Sequence, residues 1–202
     1  MFAIFPELIR AAKAGQIEQL ALLVHRYHGS GEPLRLRPEW ECLLADVGIA
    51  LHYDRLERHG ALLVKDEKGT PFPAILLPQA MDWVEQKFLL AHLLGHFFLD
   101  YQAKIAAGTQ RTSGLRELHS PYERYLQARH DLHARDARTE LQADAFAAAF
   151  LTPKSWLQEL SQKEKEPQRI AEHFNVSIAF LTRRLVKMQT AQRKPNTANK
   201  NA

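Results

Sequence analysis

The sequence predicts an α+β fold, mainly helical with a small β-sheet. Three observations carry that expectation: an apolar, helix-length run from Asp82 to Tyr101, a strand–turn–strand pattern just before it, and an alanine-rich helical stretch from Asp136 to Leu151. The 202 residues are 46% hydrophobic and 25% charged, a globular balance at a length that suits one domain with a small appendage.

Taken in order, residues 6–28 show helical spacing (Leu8, Ile9, Ala12, Ile17, Leu20, Leu23, Val24), broken near Gly15 and followed by a turn at Gly29–Pro33. A second helix opens with Pro38 in its first turn, carries Trp40, Leu43, Leu44 and Val47, and ends at Gly48. Two extended stretches follow, Ala61–Val64 and Ala74–Leu77, separated by turn residues from Asp66 to Pro71. The run from Asp82 to about Tyr101 is apolar on nearly every side after Lys87, the pattern of a helix in the centre of a fold. Residues 102–136 are polar and mixed in charge and read as a long excursion with partial helix. The helix from Asp136 is stopped at Thr152-Pro153. Beyond it lie a helix near Trp156–Leu160, a charged turn at Lys163–Pro167 and two short helices around Asn175. The expected division is a helical N-terminal extension (1–36), a central domain (37–153), a helix-turn-helix-like C-terminal part (154–188) and a disordered tail (189–202).

Composition excludes several classes. The single cysteine, Cys42, has no disulfide partner; it sits in an apolar-periodic stretch and reads as a core residue of a protein from a reducing compartment. Pro6, Glu7 and Arg10 interrupt the apolar start too early for an export signal. The best membrane candidate, Phe88–Leu99, is too short and contains two histidines, so no span is expected. The formal charge of +4 shrinks once located: Arg193, Lys194 and Lys200 lie in the acid-free tail, leaving about +1 on the rest. Bulk electrostatics therefore gives little support to a DNA-binding surface.

Two spacings carry chemistry. His92 and His96 stand four apart, so both project from one face of the central helix, and two imidazoles so placed can bind one metal ion such as zinc. Taken alone, the pair reads equally well as two core histidines bonded to backbone carbonyls. Gly95 argues for close packing there, since a glycine inside a helix costs about 1 kcal/mol against alanine and no helix end calls for it. Glu140 and Asp144 repeat the four-residue spacing among Ala137, Ala143, Ala145, Ala147, Ala148 and Ala149, small residues that let a neighbouring helix approach. If that neighbour is the histidine helix, Glu140 completes a His2Glu site with an open fourth position, and Asp144 can orient a ligating histidine. The competing reading is an exposed face that happens to bear two acids.

The run FLLAHLLGHFFLD, followed by ELQADAFAAAFLTP and IAEHFNVSIAFLTRRL, resembles the ImmA/IrrE family of metallopeptidases over roughly Trp40 to Met188. The resemblance implies a zincin-like domain and a cytoplasmic zinc endopeptidase that relieves repression by acting on a DNA-bound repressor of helix-turn-helix type. Carried across, His92, His96 and Glu140 match the zinc ligands, and Asp144 matches the polar residue four beyond the ligating Glu. One departure stands out: the family motif is HExxH, and here Leu93 occupies the general-base position. That glutamate takes a proton from the attacking water and passes it to the leaving amine, which leucine cannot do. The catalytic residue is therefore unassigned, and a zinc-holding pseudopeptidase that binds and regulates a partner is the alternative.

No substitute base is evident nearby. Asp100, four after His96, is better placed as an orienting partner of His96 than as a base, and Glu85 lies seven residues before His92, about 11 Å away along the axis. The excursion holds Glu117, Glu123 and Asp131 with His119, His130 and His133, which read as a mixed-charge surface segment. In the C-terminal part, Ser177 reads as a helix cap, and DNA reading would place Ser177, Thr182, Arg183 and Arg184 near a groove. Two adjacent arginines are thin support for that, and the reading preferred is a helical unit that packs on the body or meets a protein.

Overall fold

The computed structural model describes residues 6–55, 60–65, 71–101, 116–118 and 134–193. The first expected helix is two: α1 (Pro6–Lys13) and α2 (Ile17–His28), parted at Gly15, whose φ of 65° is left-handed. Helix α3 (Arg37–Val47) starts with Glu39 folding back to accept the Leu36 N–H at 2.8 Å and stops at left-handed Gly48, which turns the chain into β1 (Ala50–Asp54). Cys42, expected in the core, is exposed: α3 buries the face bearing Trp40, Leu43 and Leu44, and Cys42 falls outside it.

Strands β2 (Gly60–Lys65) and β3 (Pro71–Pro78) form the expected antiparallel pair. The sequence reading missed β1, which lies parallel to β3 with Ala50 opposite Ala74. Strands β1 and β3 can run parallel because β2 carries the chain back between them. A short β4 (Arg116–Leu118) adds to the free edge of β2, with Gly60 opposite Leu118, giving the order β1-β3-β2-β4. The remainder of the excursion, 102–115 and 119–133, lies outside the described residues.

Helix α4 (Trp83–His96) begins at Asp82, whose side chain accepts the Glu85 N–H at 2.9 Å, and it crosses β2 and β3. It passes at Phe97 into a π-helical turn, Phe97–Tyr101, so the long apolar run is not one regular α-helix. Helix α5 (Ala134–Leu151) lies against α4, and α2 packs on α5, where His25 stacks on Phe150 at 4.1 Å. Both faces of α4 are thus covered, which is why its sequence is apolar nearly all round. The N-terminal helices share this core, since Leu8, Leu20 and Val24 belong to the same cluster as Leu90, Phe146 and Phe150.

Helices α6 (Lys154–Lys163), α7 (Pro167–Phe174) and α8 (Ile178–Arg193) close the chain around a smaller cluster of Leu157, Ile170, Phe174 and Leu181. Helix α8 continues past Met188 to Arg193, so the stretch expected to be disordered begins as helix; 194–202 lie outside the described residues. Among the described residues no helix is long and apolar enough to cross a membrane.

Candidate metal centre

The approach of α4 to α5 builds the centre. A Cβ on Gly95 would stand 2.9 Å from Ala143 Cα and 3.0 Å from its carbonyl oxygen, so the two backbones touch where the sequence put a glycine and an alanine. The helices run antiparallel, with His92 opposite Asp144 and His96 opposite Glu140. His92 and His96 are 0% and 3% exposed, while the Glu140 side chain keeps 20% exposure and marks the open side.

The hydrogen bonds decide what the imidazoles offer. His92 Nδ1 lies 2.9 Å from Asp144 Oδ1, and His96 Nδ1 lies 2.8 Å from Asp100 Oδ2, within the π-helical turn. A carboxylate only accepts, so both Nδ1 atoms carry a proton and donate, and whenever a ring is neutral its Nε2 is left with a lone pair. These two Nε2 atoms face one another at 3.0 Å, with Glu140 oxygens 3.3 Å from His92 Nε2 and 3.6 Å from His96 Nε2. When both rings are neutral, two lone pairs and a carboxylate converge there, an arrangement that a cation satisfies. Two imidazole nitrogens and one carboxylate are ligands suited to a first-row divalent ion, and all three ligand atoms lie within 4.8 Å of one another.

In the absence of a metal, a proton on His92 meets the same need. Burial works against a charge on His92, but the hydrogen bonds to Asp144 and Glu140 and their negative charges outweigh it and raise its pKa to about 8. Burial alone would raise the Glu140 carboxyl, yet its bonds to His92 and His96 hold it well below the usual carboxylate range. The pocket between the helices favours positive charge.

Leu93 is 0% exposed and turns toward the sheet. A Cβ on Gly60 would stand 2.9 Å from Leu93 Cδ1 and from Leu89 Cδ2, so β2 rides on these leucines. Asp144 and Asp100 are both engaged on Nδ1 atoms, and Glu85 is exposed in the first turn of α4. His119, Glu123, His130, Asp131 and His133 lie outside the described residues, and Glu117 is described only through its backbone in β4.

Of the residues read as DNA-facing, Ser177 caps α8 by accepting the Phe180 N–H at 3.2 Å, and Thr182 and Arg183 are exposed. Arg184 is turned inward, 8% exposed, donating to the Thr152 carbonyl at 3.2 Å and paired with Glu18. The sequence reading also missed Lys87, 0% exposed, whose Nζ donates to the Phe174 carbonyl at 2.9 Å and to that of Asn175. A lone lysine at the head of an apolar run was the available signal.

Comparison with known proteins agrees with this architecture. No curated protein matches the chain. Solved structures that it resembles include a Mycobacterium tuberculosis transcriptional regulator, with a TM-score of 0.54 and 14% identity over 89% of this chain. At that identity the likeness concerns the fold, and the chain spans 50% of that structure's length. Residues 45–186 match the family of metallopeptidases Peptidase_M78, described as the IrrE N-terminal-like domain. With the paired histidines and Glu140 gathered inside that span, the chain belongs to the Peptidase_M78, or IrrE N-terminal-like, family.

Proposed function

We propose that this chain is a cytoplasmic zinc-holding protein that engages a DNA-binding repressor of helix-turn-helix type and acts on it mainly by binding. The observation that carries the reading is the contrast between a complete donor set and a buried leucine at the general-base position. His92, His96 and Glu140 would hold the zinc. When bound, zinc supplies Lewis acidity toward a carbonyl group and a nearby water. Asp144 and Asp100 hold both Nδ1 protons, so each Nε2 stays available as a ligand. Leu93 fills its place with methyl groups packed under β2 and can neither take nor return a proton. Removing a general base forfeits typically about 100- to 10,000-fold in rate, which leaves partner binding as the efficient activity. The partner class is supported by the resemblance to a transcriptional regulator and by family membership.

The test is incubation of the zinc-loaded protein with helix-turn-helix repressors from the same genome. A stable, zinc-dependent complex with intact repressor is expected. A second reading, a slow zinc peptidase, is favoured by the retention of all three ligands with their orienting carboxylates. Zinc-dependent cleavage abolished by Glu140→Ala would establish that reading in place of the first. Purified protein free of zinc, with His92→Ala changing nothing, would remove both.

A further inference from the structure

The two helices that carry the metal cluster are tied together a second time, at their far ends, by the C-terminal helix pair. On α4, Lys87 lies five residues before His92, about 7.5 Å along the axis, and its buried amine closes the C-terminus of α7 through the Phe174 and Asn175 carbonyls. At the end of α5, Arg184 of α8 donates to the Thr152 carbonyl at 3.2 Å. Phe180 of α8 meets Phe88 of α4 edge-on at 5.7 Å, between these two ties. We propose that α7 and α8 form a clamp that sets the α4–α5 spacing and thereby controls how tightly His92, His96 and Glu140 hold their metal. This regulation rests on the zinc-site reading above.

The physical basis is that neither tie can loosen gradually. A buried guanidinium that loses Glu18 and Thr152 leaves an unpaired charge inside the protein, and a buried lysine amine that loses its two carbonyl partners leaves unmet donors and strips those carbonyls of theirs, so the clamp is either seated or released. Released, it frees α4 and α5 to change their crossing angle about the Gly95–Ala143 contact, and His92 on one helix and Glu140 on the other, which flank that contact, turn relative to one another. Ligand atoms need placing within about 0.2 Å for a good metal site, so a small divergence of the helices is enough to weaken binding. By reciprocity, metal binding must strengthen the seating of the clamp.

Two measurements test this. Zinc affinity, read by competition with a chromophoric chelator, is compared for wild type, Lys87→Met and Arg184→Leu under conditions where circular dichroism shows each protein folded. Loss of affinity of about tenfold is expected in each, within the range of typical couplings; unchanged affinity in both folded variants overturns the clamp. Should either variant fail to fold, hydrogen exchange of the wild type with and without zinc decides. Slower exchange of α7 and α8 amides on adding zinc is the expected result, and slowing confined to α4 and α5 overturns the proposal. A wild type that binds no zinc at all defeats the metal reading itself, an outcome distinct from zinc binding that ignores the clamp.

Discussion

Gly95→Ala gives the sharpest test of how the centre is built. The added methyl would stand 2.9 Å from Ala143 Cα, 3.0 Å from Ala143 O and 3.2 Å from Phe146 Cβ. Ordinary contact begins near 3.4 Å, so α4 and α5 must part by about 0.5 Å, and because the nearest two atoms are backbone no side-chain rotation can absorb it. Alanine gains up to about 1 kcal/mol in helix propensity, whereas overpacking costs about 1–3 kcal/mol. A net loss of about 1–2 kcal/mol is expected in urea unfolding of the metal-free protein. The same displacement moves Glu140 away from His92 and His96 by more than a metal site tolerates, so zinc affinity should fall by roughly tenfold or more. Ala143→Gly should not rescue the variant, because the clash is with the Ala143 backbone and not with its methyl. Wild-type stability together with wild-type zinc affinity in Gly95→Ala would refute this account of the helix contact.

Other substitutions probe separate parts of the argument. Leu93→Glu places a carboxylate at a fully buried position against Gly60; it should destabilise the fold by several kcal/mol and raise repressor cleavage by at least about 100-fold, read on gels, and unchanged cleavage would mean that Leu93 is not what limits hydrolysis. Asp100→Ala frees His96 to move its proton to Nε2, and zinc affinity should drop about 10- to 100-fold; Asp100→Asn, which keeps an acceptor, should drop less, and equal affinity in all three proteins would show that His96 needs no orienting partner. Burial, only partly offset by the bond to the Phe150 carbonyl, lowers the pKa of His25 from the ordinary 6.5 to about 4. Below pH 6.5 the unfolded chain therefore takes up a proton that the folded one refuses, and stability should fall by up to about 3 kcal/mol between pH 6.5 and 4. His25→Gln should flatten that part of the pH profile, and a profile identical to wild type would place the acid sensitivity elsewhere.

Much of the centre was legible because it depends on local periodicity. A four-residue spacing puts His92 with His96, and Glu140 with Asp144, on one side of any helix, whatever surrounds it. Gly95 and the alanines of α5 announced a close approach for an equally local reason: small residues are what helix backbones need in order to touch. The end of α3 at Gly48 and the β2–β3 pair were readable in the same way.

The residues that escaped the sequence reading all depend on neighbours distant in the chain. Strand β1 exists as a strand because β3 lies beside it, and its five residues carry no clear alternation of their own. Cys42 is exposed because α3 is buried on one face only, and which residues fall on that face follows from how the helix seats, not from the apolar count around it. The sequence by itself determined which side chains could act as ligands, and that a leucine stands where a proton carrier is expected. Only the tertiary structure decided that two helices would bring these ligands within reach, that Leu93 would be sealed under Gly60, and that Lys87 and Arg184 would turn inward. The reason is physical: helical periodicity depends on residues a turn apart, whereas burial and long-range pairing depend on which surfaces the whole chain brings together.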